Sequence, residues 1–253
     1  MFARIPPRAV TLGVVVLALA TYEAIARGSH ATFFFQPIGV VAGKLLASLR
    51  SGELAAHFGA TMLEILASFV IGAGAGLAVG FAVGSHYAAR EIVQPLLFTF
   101  FQTPLFVLYP VLIVWLGLDY PSKVAFGAVY TFFPVALSTI AGVESIDERL
   151  VALARVYGAT VWDVVRTIRI PAAMPSIAAG LKTGISLAVT AVTAAEYLVS
   201  LRGMGFLIQK ATTQLDVPYV YGLGMVTVII ALVLYGALAA VERRVRGHAG
   251  SGA

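Results

Sequence analysis

Phe58 to Gly84 reads FGATMLEILASFVIGAGAGLAVGFAVG, with Glu64 its only charged residue. A helix crosses a bilayer core with about 20 mostly apolar residues, and in lipid its backbone groups must be satisfied within the segment. This stretch therefore reads as a membrane-spanning helix. Five further runs match it, at residues 9–26, 92–118, 124–143, 177–199 and 217–241. The third and sixth runs in chain order contain no charged residue. A signal peptide is the alternative for the first run, because Arg8 precedes it. Its length and the poor cleavage site at Tyr22-Glu23-Ala24 favour a span.

Composition agrees. Of 253 residues, 60% are hydrophobic and 11% charged, with a mean hydropathy of +0.93. Soluble domains carry roughly a quarter charged residues, so an ordinary soluble domain is excluded, as is disorder. The absence of cysteine removes disulfides, thiolate nucleophiles and Cys-ligated metals. The net charge of +5 is spread thinly rather than gathered in a patch, which argues against nucleic acid. The expected fold is an all-α membrane protein with six transmembrane helices in a single domain over 1–253.

Sidedness follows from the basic residues. With the N-terminus cytoplasmic, the inner side carries Arg4, Arg8, Arg90, Arg149, Arg155, Arg166, Arg169, Arg243, Arg244 and Arg246. The outer side carries Arg27, Lys44, Arg50, Arg202 and Lys210, with Lys123 and Lys182 set aside near helix ends. This excess fits the positive-inside tendency and places both termini in the cytoplasm.

Within the spans, Gly72, Gly76, Gly80 and Gly84 recur every four residues and make one smooth face for a neighbouring helix. The third span holds Gln102, Phe106, Tyr109 and Trp115 around Pro104 and Pro110. Prolines break backbone bonds, a pattern suited to lining a pathway; a kinked lipid-facing helix is the alternative. Tyr130 and Pro134 on the fourth span invite the same two readings. Glu64 and Glu196 are carboxylates inside spans, about two turns from the outer surface, where snorkelling or water would solvate them. Glu196 is the better candidate for a pathway or gate.

The segment 143–176 is the longest hydrophilic stretch on the cytoplasmic side. Ser145 and Glu148 have capping-box spacing, and Leu150, Leu153, Ala154 and Tyr157 follow on one helical face. Gly158 ends that helix. Thr160 and Asp163 form a second capping pair, followed by Val161, Val164, Val165 and Ile168, with Pro171 as the expected stop. The result is two short amphipathic helices hinged at a glycine, suited to lying in the lipid interface or to docking into a groove on a partner.

The run from Ala152 to Pro171, ALARVYGATVWDVVRTIRIP, resembles the EAA loop of ABC-importer permease subunits. Ala154, Gly158, Ile168 and Pro171 stand at matching positions; Ala152 replaces the usual glutamate, Leu153 the second alanine and Ile170 the leucine. The resemblance extends from about His57 to Arg244, through FQTPLFVLYPVLIVWLGL, Ser122-Lys123 and AAEYL around Glu196. It is strongest to the sulfonate, nitrate and taurine branch, whose relatives also carry pyrimidine thiamine precursors.

What the resemblance implies is a bacterial inner-membrane importer subunit. It would act as a homodimer above two copies of a cytoplasmic ATPase, with an extracytoplasmic solute-binding protein outside. Leu153, Ala154, Arg155, Tyr157, Gly158, Ala159 and Trp162 would contact the ATPase. Glu196, Gln102, Phe106, Tyr109 and Tyr130 would line the pathway for a small, anionic solute, sulfonate-like or aromatic. The chain would bind no cofactor, with ATP and Mg on the ATPase; accordingly it has no G-x-x-x-x-G-K-[ST] phosphate loop. An ion-coupled carrier or channel is the alternative. An intramembrane enzyme lacks support, since neither H-E-x-x-H nor clustered acids occur.

Overall fold

The computed structural model describes residues 7–28 and 35–249. Arg4, residues 29–34 of the expected outer segment and the last four residues lie outside them, as do the side chains of Arg8 and Arg246. Helices account for nearly all the described residues, with no strand among them. They are α1 (Pro7–Gly28), α2 (Ile38–Arg50), α3 (Glu53–Gly84), α4 (Tyr87–Gln102), α5 (Leu108–Leu116) and α6 (Tyr120–Glu144). Then follow α7 (Glu148–Val156), α8 (Val161–Val164), α9 (Ile170–Leu198), α10 (Met204–Thr213) and α11 (Val217–Ala249).

Four helical segments are long and apolar enough to cross a membrane: α3, α6, the continuous rod from Val161 to Leu198, and α11. The pair α4 and α5 passes the same test together. The first expected span corresponds to α1, a 22-residue helix.

The third span departs from a single helix, because α4 and α5 meet at an angle of 77°. Pro104 supplies the reason. It has no N–H to donate to Phe100 O, and it confines Thr103 to extended backbone (ψ 152°). Phe100 O is satisfied instead by Thr103, through its amide at 3.2 Å and its hydroxyl at 2.5 Å. A short 3-10 turn at Leu105–Val107 then starts α5.

The centre of the bundle is α3, α6 and α9. The glycine row of α3 lies on α6. A methyl group added at Gly76 would stand 2.8 Å from Phe132 O, and one at Gly80 would stand 2.5 Å from Thr139 Cβ. Lipid gives helices no hydrophobic drive to associate, so this close backbone approach supplies dispersion contacts that larger side chains would block. Around this centre, α10 and α11 close over α3 and α9, burying Ile65, Val189, Val192, Met204, Leu207 and Leu223.

Ion pairs fasten both ends of the bundle. Arg90 meets Glu144 at the end carrying α7. At the opposite end Lys44 pairs with Asp216, Lys210 with Glu53, and Arg202 with Asp119. The Arg202 guanidinium holds the Asp119 carboxyl below the usual carboxylate range. Lys182, set aside from the sequence as a helix-end residue, pairs with Glu242 of α11 at 2.7 Å.

Candidate coupling loop and translocation site

The segment between α6 and α9 folds onto a small core of its own. Ile146, Val151 and Val164 are buried there, with Ala154, Ala159 and Ile168 packed on them. The helix start differs from the sequence expectation. Asp147 caps α7, accepting the Arg149 amide at 2.9 Å, while the Ser145 hydroxyl donates back to Gly142 O at 2.8 Å. Asp147 wins because it immediately precedes the first helical residue, where a short side chain reaches the free amides.

Gly158 adopts φ +85°, a conformation that strains any residue with a Cβ. Its turn is closed by bonds from the Gly158 amide to Arg155 O and from the Ala159 amide to Ala154 O, both 3.0 Å. Thr160 and Asp163 then form the reciprocal capping box expected of them, with amide bonds of 2.9 Å and 3.2 Å.

Pro171 does not end the second helix, which corrects the expected pair of isolated helices. A π-helical turn at Val165–Arg169 joins α8 to α9, and Pro171 sits in the first turn of α9. Proline is tolerated at that position, and the widened turn relieves the clash of its ring with the preceding carbonyls. A single rod therefore runs from Val161 in the loop to Leu198 at the opposite end.

The outward face of the loop is apolar. Leu153 is 54% exposed, Tyr157 83% and Trp162 68%. Arg155 and Gly158 are also exposed, whereas Ala154 and Ala159 turn inward onto Val151 and Val164. The expected single face of Leu150, Leu153, Ala154 and Tyr157 is thus split, and Val151 is the buried residue. Leu150, Val156 and Val161 add to the outward patch. The α7 sequence is apolar on more than one side, so spacing alone could not choose between faces.

The expected pathway residues separate. Gln102 is exposed at the end of α4. Phe106 lines a groove of about 590 Å³ with Thr190, Thr193 and Tyr197 of α9 and Thr227 of α11. The spacing 190, 193, 197 is a polar stripe on one helical face, and that signal was present in the sequence. Tyr109 lines no open path within this chain. It is fully buried, donates to Ala195 O at 3.3 Å and packs on Phe126, with half-buried Tyr130 on the same ring.

Glu64 and Glu196 overturn the expectation of solvation near the outer surface, since each is 1% exposed. Glu64 Oε1 pairs with Lys123 Nζ at 2.5 Å. Glu196 accepts from the Thr61 hydroxyl at 2.6 Å and the Gly205 amide at 2.8 Å. Thr61 in turn accepts the Met204 amide at 2.7 Å, Lys123 reaches Ser200 Oγ at 3.1 Å, and His57 Nδ1 accepts the Gly203 amide at 2.9 Å. These side chains bind the 199–205 segment to the bundle. No cluster of three metal-ligating side chains occurs among the described residues.

A bent apolar helix pair, a helical rod linking an exposed loop to the far end, and a glycine-packed centre suit a transport subunit. The model of the binding-protein-dependent transport system inner membrane component family matches residues 68–247. The chain belongs to this family of ABC transporter permeases. It is similar to a probable ABC transporter permease protein of Brucella melitensis, 31% identical over 78% of this chain and 80% of the relative. It is also similar to the riboflavin transport permease RibX of Chloroflexus aurantiacus, 27% identical over 90% of this chain and 86% of that protein. The taurine transport permease TauC of Escherichia coli is 30% identical over 74% and 68% of the two chains. This permease is thus a transport component rather than an enzyme, and the ion-coupled alternative gives way.

Proposed function

We propose that this permease forms the translocation pathway of an ATP-driven importer for a small anionic or aromatic solute. Two copies of the chain pair in a bacterial inner membrane with both termini cytoplasmic. Each has six spans, α1 being the first and the α4–α5 pair the third. Two copies of an ATPase sit beneath them, carrying ATP and Mg, and a solute-binding protein docks outside. The chain itself holds no cofactor, and its whole length is one domain.

One observation carries this reading: the exposed apolar patch of Leu153, Tyr157 and Trp162 sits beside a rod that reaches Glu196. Closure of the ATPase dimer pushes on this patch and tilts α9, shifting access between the two sides. The groove at Phe106, Thr190, Thr193 and Tyr197 is the wall that the solute passes. Taurine and riboflavin, named in relatives, mark the range of solutes to test.

The test is to extract the tagged chain in mild detergent from its native host and identify what co-purifies. An ATPase subunit bound to wild type and absent from Gly158→Arg supports the reading. A chain that purifies alone under several gentle conditions, or an ATPase retained fully by the variant, counts against it.

A further inference from the structure

Glu64 on α3, Lys123 on α6 and Glu196 on α9 bring two carboxylates and one ammonium together, each side chain at most 1% exposed. Lys123 Nζ is used by Glu64 Oε1 and Ser200 Oγ. Glu196 is served by Thr61 and the Gly205 amide. Glu64 Oε2 remains, buried and with no hydrogen-bond partner, in a carboxyl group that lies beside that of Glu196.

With both carboxyls ionised, the cluster would carry one net negative charge away from water, and Glu64 Oε2 would stay buried without a donor. Burial of an unpaired charge costs several kcal/mol, and two adjacent carboxylates seldom both ionise. The other charged and titratable groups around the cluster do not change this count. Arg202 is engaged by both oxygens of Asp119 at 3.0 Å. His57 of α3 accepts the Gly203 amide at Nδ1. Tyr109 of α5 donates to Ala195 O, and Lys210 of α10 is paired with Glu53.

We infer that Glu64, Glu196 and Lys123 form a proton-binding site. One proton sits on the carboxyl pair, Glu64 Oε2 donating to Glu196, and Lys123 balances the remaining charge. The proton is taken from water and returned to it, and only an O–H bond is made or broken. The site holds the segment 199–205 through Ser200 and Gly205, so the outer end of the bundle is fastened to a titratable lock. This goes beyond the transport reading and stands whatever the solute.

Infrared spectroscopy of the full chain reconstituted in lipid tests it. Wild type at neutral pH should show a protonated-carboxyl C=O band that disappears as pH is raised. The band should be missing from both Glu64→Gln and Glu196→Gln and retained in Asp119→Asn. No such band in wild type, or a band that survives in both glutamine variants, overturns the inference. Absence of the band from wild type overturns the inference even where a variant fails to fold.

Discussion

Lys182 Nζ lies 2.7 Å from Glu242 Oε2, tying the rod that begins in the loop to α11. Both side chains are mostly buried, and α11 otherwise turns largely exposed apolar residues away from the rest of the chain. Removing the lysine takes a short charge-assisted contact from the Glu242 carboxylate. Lys182→Met should lower the stability of the detergent-purified chain by about 1–3 kcal/mol. Lys182→Met/Glu242→Gln should recover much of it. Thermal melts of the three variants check this, and an unrecovered double variant would show that the pair contributes by packing alone.

The glycine row predicts a contrast within one helix. Gly80→Ala places a methyl against Thr139 and Ala136 of α6, and the two backbones must part, at a cost of about 1–3 kcal/mol. Gly74 has nothing within 4 Å, so Gly74→Ala should be neutral or slightly stabilising through helix propensity. Unfolding of the two variants in mild detergent separates these outcomes.

At Gly158 the expected effect is conformational. Its position is open, with nothing within 4 Å, but its φ of +85° costs a side-chain-bearing residue about 1–2 kcal/mol. Gly158→Ala should disturb the loop mildly. Gly158→Arg, which adds a bulky charge to the exposed patch, should abolish ATPase-dependent uptake while leaving membrane expression near wild type. Uptake and immunoblotting of membranes from the same cells measure both quantities.

Pro104→Ala restores an N–H able to reach Phe100 O, so the break between α4 and α5 should close in part. Spin labels placed at exposed positions 96 and 114 should move apart in the variant, read by pulsed electron resonance. An unchanged distance would mean that the packing of Tyr109 on Phe126, rather than the missing amide, holds the bend.

Much of this architecture was legible as sequence. Runs of apolar residues located the four long apolar helices and the bent α4–α5 pair because the bilayer imposes a minimum length, and Gly72 to Gly84 announced a close contact because only glycine permits it. Gly158 and the Thr160–Asp163 box were equally visible, since turn and cap chemistry is local. Asp147 was missed as a cap because Ser145 offered a better-known pattern, and the choice depended on where α6 stopped.

What the sequence by itself determined, then, is everything set by short-range chemistry and by hydropathy: the helices, most of their ends, and family membership. Tertiary structure decided which face of α7 is covered, that Pro171 lies inside a continuous rod, and that Tyr109 is buried. It also joined Glu64, Lys123 and Glu196, residues separated by 59 and 73 positions along the chain. No periodicity connects such residues; only the packing of three helices excludes water from them and makes their charges answer to one another.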